Sequence, residues 1–160
     1  MPSHPFRHSA AFGKRIEYWI VGRMLKEGLD VYLPLVDDDA IDAVIRRNDG
    51  TFTTVQIKAR SKNVVERDAA LFAAIPHELR DNYWFVFYSE GMDMTSQEFI
   101  AESVQNKTGK NQGKRSIWFN GNRINRETGQ REDYCKTQFR KYLALDFNRI
   151  SSPYPCLAGS

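Results

Sequence analysis

Apolar residues recur at helical spacing near the start of the chain and then give way to strand-like segments. The helical pattern runs from Ala10 to about Lys26, with Ser9 as a favourable N-cap and Gly28 as a stop signal. Residues 30–36 read as a short strand, and its proline places it at a sheet edge or a strand end. The pattern therefore predicts a first helix followed by a first strand.

A hairpin is the strongest prediction in the chain. Residues 41–47 and 51–58 are rich in β-branched and aromatic side chains, and Asn48-Asp49-Gly50 between them is a tight-turn signal. Folding the two arms antiparallel about that turn brings Asp42 roughly opposite Gln56 or Lys58. The segment predicts the second and third strands of a sheet.

Beyond residue 60 the pattern is less regular. The continuous apolar run at 83–88 is typical of a buried central strand. Thr95 and Glu98, at capping-box spacing, predict a helix over 95–104. Residues 66–75 fit either a short helix or the approach to a strand. The remaining predictions are a flexible basic loop at 106–116, a strand at 117–119, a polar loop at 121–133, a closing helix at 134–145, and irregular ends at 1–8 and 151–160.

This order of elements predicts a single α/β domain over residues 1–160, with a mixed central β-sheet flanked by helices. A chain of 160 residues with 41% hydrophobic and 27% charged residues is ordinary for a globular protein. No uncharged apolar run reaches the length of a membrane span, and the first residues lack a signal-peptide layout. Two isolated cysteines, Cys135 and Cys156, leave a disulfide open but favour a reducing cytosol. We expect a cytoplasmic protein without a membrane partner.

The net charge of +3 is distributed unevenly. Residues 1–104 contain 12 Lys and Arg against 16 Asp and Glu, whereas residues 105–160 contain 11 against 4. An acidic part joined to a basic part suits a protein that binds a polyanion and holds cations elsewhere. A solvated basic surface without a partner would give the same composition.

Polar side chains converge where the hairpin arms begin and end. Side chains two apart on a strand share a face, so Gln56 and Lys58 point the same way, and Asp42 lies within cross-strand reach. Glu17 falls within the apolar stripe of the first helix and meets this cluster if the helix packs across the hairpin. One interpretation is a structural Asp42–Lys58 ion pair. The other is a set of hard oxygen ligands for Mg²⁺, with Lys58 beside a water or a phosphate oxygen.

These features, in this order, resemble the PD-(D/E)XK nuclease superfamily and look most like its small members related to archaeal Holliday-junction resolvases. The resemblance covers about residues 9–60. One departure is Gln56, which stands where the family usually has Asp or Glu and removes one negative charge. The matching segments are Gly13-Lys-Arg-Ile-Glu17, Gly28-x-x-Val31, Ile41-Asp42-Ala43-Val44 and Val55-Gln56-Ile57-Lys58.

The resemblance implies a restriction-endonuclease-like α-β-β-β-α-β core and a metal-dependent endodeoxyribonuclease. Asp42 would be the principal ligand of Mg²⁺ or its substitute Mn²⁺, with the Gln56 amide oxygen and the Ile57 carbonyl as further ligands. Glu17 would bind the metal directly or through water. Lys58 would position the attacking water for hydrolysis of a phosphodiester.

Basic residues indicate a nucleic-acid partner, and the resemblance implies that this partner is DNA. No recognition helix, zinc finger or RNA-binding motif is present, so no sequence specificity is predicted. The alternative function is a catalytically inactive nucleic-acid-binding or assembly module that retains the nuclease fold. A homodimer through an edge strand or through Trp118 and Phe119 is also open. The expected phosphate contacts are Lys14, Arg60, Lys62, Lys107, Lys110, Lys114 and Arg115.

Overall fold

The computed structural model describes residues 10–36, 39–61, 71–90, 96–102 and 112–152. In these ranges no helix is long and apolar enough to cross a membrane. The predicted ends at 1–8 and 153–160, and residues 106–111 of the basic loop, lie outside them. The elements in chain order are α1 (Ala10–Lys26), β1 (Asp30–Tyr32), β2 (Ala43–Arg46), β3 (Phe52–Arg60), β4 (Leu71–Pro76), β5 (Tyr83–Glu90), β6 (Ser96–Glu102), β7 (Lys114–Trp118), β8 (Asn120–Ile124), β9 (Arg131–Cys135), a 3₁₀ helix (Thr137–Tyr142) and α2 (Asn148–Ser151).

Five strands form one mixed sheet in the order β1-β2-β3-β5-β6. The β3–β5 pair is parallel, with Gln56 in register with Phe85, and the other three pairs are antiparallel. A parallel pair needs a long crossover connection, which here contains β4. The mixed α/β class predicted from the sequence is confirmed at this general level. Two further pairs, β4–β7 and β8–β9, form separate two-stranded sheets.

One face of the main sheet is covered by α1, and we call it the helix face. Apolar residues at helical spacing on α1 pack there against alternate residues of β2, β3 and β5. Burial of these side chains is the main stabilisation of the helix on the sheet. The residues are Phe12, Ile16, Ile20, Val21 and Met24 from α1, with Ala43, Ile45, Val55, Ile57, Val86 and Tyr88 from the strands.

The opposite face is lined by aromatic rings, and we call it the aromatic face. Phe85 and Phe87 of β5 are fully buried there, with stacked rings whose centroids lie 5.3 Å apart. Phe72 of β4 and Ile117 of β7 cover them. Because side chains alternate along a strand, Gln56 and Lys58 of β3 belong to this face, on the far side of the sheet from α1.

The predicted hairpin is confirmed. β2 pairs antiparallel with β3, with Ala43 opposite Val55. The turn closes with a hydrogen bond from the Gly50 N–H to the Arg47 carbonyl at 2.9 Å, and Gly50 has φ +85°. A glycine at this left-handed position is the usual end of a three-residue hairpin loop.

Gly28 ends α1 in a left-handed conformation, with φ +86°. We expect Gly28→Ala to lower the free energy of unfolding by about 1 kcal/mol, because a Cβ is unfavourable at that φ. Gly22, in the exposed middle of α1, has nothing within 4 Å of an added Cβ. Gly22→Ala should therefore raise the free energy of unfolding by up to about 1 kcal/mol. Urea denaturation of the two variants measures both changes, and equal changes of one sign would contradict this account of the helix end.

The helix predicted over 95–104 is wrong for its described part, because Ser96–Glu102 is strand β6. It pairs antiparallel along β5, with Val86 opposite Ile100. The buried strand β5 presents unpaired backbone groups that need a neighbour, and this tertiary requirement outweighs the local capping signal.

Other predictions beyond residue 110 also need correction. The predicted polar loop at 121–133 contains most of the β8–β9 hairpin. The predicted closing helix at 134–145 is the end of β9 followed by the 3₁₀ helix. Residues 71–76 form strand β4, which decides the open prediction at 66–75 for its described part. The first strand is shorter than predicted, and β7 begins at Lys114, inside the predicted basic loop.

Candidate active site

Asp42, the residue before β2, forms hydrogen bonds with the two residues of β3 that flank Gln56. Its backbone N–H donates to the Val55 carbonyl oxygen at 2.8 Å, and its carboxylate Oδ2 accepts the Ile57 N–H at 2.6 Å. A hydrogen bond from a backbone N–H to a carboxylate is short and strong. The half-buried carboxylate is therefore fixed beside Gln56, as the hairpin register predicts.

Gln56 is buried on the aromatic face, with 6% of its surface exposed. The Tyr83 hydroxyl lies 3.2 Å from the Gln56 Oε1 and 2.5 Å from the Ala40 carbonyl oxygen. The hydroxyl has one proton, and the shorter contact is the better acceptor for it. The Tyr83 hydroxyl thus binds the segment before Asp42 and also contacts the Gln56 amide.

Lys58 is half-buried two residues after Gln56 and on the same face. Within the described ranges, no salt bridge joins Lys58 to Asp42. The described structure therefore does not show the structural Asp42–Lys58 ion pair.

Glu17 lies on α1, the helix that packs on the opposite face of the sheet from Gln56. It lies at the edge of the buried α1 stripe, on the helix face, and its Oε1 is 2.7 Å from the Lys14 Nζ. That hydrogen bond raises the pKa of Lys14, and the negative charge of Asp42 acts in the same direction. Ile16 of α1 is buried, whereas Leu25 is 54% exposed.

Three residues around the cluster were not anticipated from the sequence. The Tyr83 ring lies between His77, with ring centroids 5.2 Å apart, and the Arg80 guanidinium carbon, 5.1 Å from the ring centroid. Burial lowers the pKa of His77, and the charges of Arg80 and Arg115 lower it further. The only sequence signal for this grouping is the position of Tyr83 at the start of the central strand. The contacts themselves depend on the β3–β5 register.

The residues predicted to contact phosphate differ in their exposure to solvent. Lys14 and Lys114 are exposed, and Arg60 is half-buried at the end of β3. Arg115 is buried, with 7% of its surface exposed, so it does not present a surface charge. Lys62, Lys107 and Lys110 lie outside the described residues.

The donor set suits a hard cation that keeps several waters. Over the described ranges, no group of three or more His, Cys, Asp and Glu side chains could hold a metal. A metal at the hairpin would therefore rely on the Asp42 carboxylate, the Gln56 amide oxygen and the Ile57 carbonyl. Strand residues direct N–H and C=O toward the same neighbour, so we expect that carbonyl to face Asp42. Such an all-oxygen set fits Mg²⁺ better than a softer metal.

Comparison with known proteins identifies no relative. No family model, no curated protein and no solved structure matches the chain. Any function assigned to the cluster around Asp42 therefore depends on its own residues and their geometry.

Proposed function

We propose that the protein is a divalent-metal-dependent nuclease that hydrolyses phosphodiester bonds of DNA. The observation that carries this proposal is the Asp42 carboxylate, held beside Gln56 by the Ile57 N–H at 2.6 Å, with Lys58 on the same face. The proposal includes membership of the PD-(D/E)XK nuclease superfamily and its restriction-endonuclease-like core. The order helix, strand, hairpin and parallel strand supports it.

In this proposal Asp42, Gln56 and the Ile57 carbonyl hold Mg²⁺ or Mn²⁺. The bound ion would stabilise charge on the phosphoryl oxygens and lower the pKa of a water. Turning the Gln56 amide by half a turn would place its NH₂ against the Tyr83 oxygen and leave its own oxygen for the cation, because the Tyr83 proton has the Ala40 carbonyl as acceptor. Tyr83 then acts as a positioning residue for the ligand.

Lys58 and Lys14 supply positive charge to the substrate. Lys58 donates a hydrogen bond to the attacking water or to a phosphate oxygen and so orients it for in-line attack. Lys14, held by Glu17, contacts a neighbouring backbone phosphate. Glu17 would bind the metal directly or through water.

A second candidate is a catalytically silent module that binds nucleic acid and retains the same fold. Gln56 favours it, because an amide in place of a carboxylate removes one negative charge that would attract a cation. This candidate predicts salt-sensitive DNA binding without any cleavage.

A substrate panel separates the two candidates. Purified protein is incubated with supercoiled, linear and four-way-junction DNA and with RNA, in Mg²⁺, in Mn²⁺ and in EDTA. The nuclease proposal predicts DNA products in either metal and none in EDTA. Binding of the same substrates at low salt, with no product in any metal, would establish the silent module instead.

Gln56→Glu tests the contribution of the missing charge. We expect it to strengthen Mn²⁺ binding by about tenfold, because a second carboxylate adds charge attraction worth about 1.4 kcal/mol at a partly buried site. Calorimetric titration measures the affinity. Gln97→Glu, a change of the same charge on another strand, serves as the control. Equal affinities in the wild type and Gln56→Glu would exclude Gln56 from the metal shell.

A further inference from the structure

Arg115 is a buried cation that the proposed chemistry does not use. It lies on β7 opposite Ile75 of β4, and only 7% of its surface is exposed. Its Nε and Nη2 are both buried and have no hydrogen-bond partner among the residues that the structure describes. Burying a charged group without a partner is unfavourable, and most buried guanidinium groups are paired.

The unpaired nitrogens of Arg115 share one edge of the guanidinium plane. Two N–H groups on one edge form the fork that binds two oxygens of a single anion. Burial lowers the pKa of Arg115, yet a guanidinium stays protonated in proteins. The group therefore offers a charged, bidentate donor pair that no described residue accepts from.

A histidine and a second arginine lie on the same side of the molecule as Arg115. His77 follows Ile75 by two residues, and its ring centroid is 4.8 Å from that of Phe85 on the aromatic face. The charges of both Arg115 and Arg80 act on His77. This is the face of the sheet that also contains Gln56 and Lys58. An anion at this position would have the Arg115 guanidinium as its main charged donor, with His77 and Arg80 nearby.

We propose that Arg115 is the centre of an anion site for a phosphomonoester, formed with His77 and Arg80. The Arg115 Nε and Nη2 lie below the protein surface, so a phosphate that binds them must project from the rest of its molecule. A phosphate inside a nucleic-acid strand has a sugar on both sides and does not project in this way. A terminal phosphate projects from the strand end, and its free oxygens match the Arg115 fork. Hydrolysis of a phosphodiester generates such an end, so assigning this ligand to a strand end rests on the proposed nuclease function.

Inorganic phosphate is the first probe, because it requires no nuclease activity. Wild-type protein in EDTA is titrated with phosphate at constant ionic strength, while the Arg115 Nε–H resonance and the melting temperature are followed. We expect the resonance to shift saturably and the melting temperature to rise. Arg115→Met should abolish the rise, whereas Lys114→Met, which removes an adjacent exposed charge, should retain it. No resonance shift, or an equal rise in Arg115→Met, would overturn the proposal.

Oligonucleotides then identify the source of the phosphate. Single strands with a 5′-phosphate, a 3′-phosphate or hydroxyl ends, and a mononucleotide, are compared in EDTA by fluorescence anisotropy and competition. One phosphorylated end should bind about tenfold more tightly than the hydroxyl form, as expected for a bidentate charged contact. Arg115→Lys should lose most of that preference. Equal binding of all strands would overturn the strand-end assignment, even if inorganic phosphate binds and even if cleavage is observed. If Arg115→Met does not fold, the titration of the wild-type Arg115 Nε–H resonance with inorganic phosphate decides whether Arg115 binds phosphate.

Discussion

Replacing Asp42 by asparagine is expected to weaken Mn²⁺ binding by about a hundredfold or more while leaving the fold intact. The carboxylate is the one charged ligand in the proposed metal shell, and loss of supporting residues alone typically costs about tenfold to a hundredfold in affinity. Asparagine keeps an oxygen that can accept the Ile57 N–H, which Asp42 now binds at 2.6 Å. Calorimetry with Mn²⁺ measures the affinity, and urea denaturation measures the fold.

Asp42→Ala supplies the matched comparison. It removes both the charge and the acceptor, so it should weaken metal binding as much as Asp42→Asn and also lower the free energy of unfolding by about 1–3 kcal/mol. The pair separates the electrostatic role of Asp42 from its structural role. Mn²⁺ affinity that is unchanged in both variants would remove Asp42 from the site.

Replacing Lys58 by methionine is expected to reduce the cleavage rate by about a hundredfold to a thousandfold without weakening Mn²⁺ binding. A side chain that positions or transfers a proton to a reacting group contributes about two to four powers of ten. Methionine preserves much of the apolar stem of a half-buried lysine and removes the ammonium group. Removing a positive charge beside a cation should leave the metal affinity equal or higher.

Lys114→Met is the control for general loss of positive charge, because Lys114 is exposed and lies on β7. Single-turnover cleavage with saturating metal isolates the chemical step from binding. Equal rates in Lys58→Met and the wild type would show that Lys58 takes no part in hydrolysis. A matching loss in Lys114→Met would assign the effect to DNA binding.

Local signals explain which parts of the fold could be predicted from the sequence. The α1 boundaries and the β2–β3 hairpin depend on caps, a glycine stop and a turn that lie within a few residues of the elements they define. The hairpin register follows from that turn, so the meeting of Asp42 with Gln56 was predictable. The position of Glu17 relative to this cluster depends on tertiary packing, because no local signal sets which face of the sheet α1 covers.

The remaining errors involve partners that are distant in sequence. β6 forms because β5 needs a neighbour, and the local capping signal at 95–98 does not reveal this. Tyr83 reaches Gln56 through the parallel β3–β5 pair, 27 residues apart in sequence. Arg115 was expected at the surface because it lies inside the predicted basic loop at 106–116. Starting the strand at Lys114 instead of Ile117 would have placed Arg115 and Ile117 on one buried face by simple alternation.

Cleavage of supercoiled plasmid DNA tests the central proposal most directly. Wild-type protein and Asp42→Asn are incubated with plasmid in Mg²⁺ and in Mg²⁺ with excess EDTA. The proposal predicts nicked or linear product with the wild type in Mg²⁺ alone, and none with EDTA or with Asp42→Asn. Wild-type cleavage that persists in EDTA, or equal cleavage by Asp42→Asn, would contradict it.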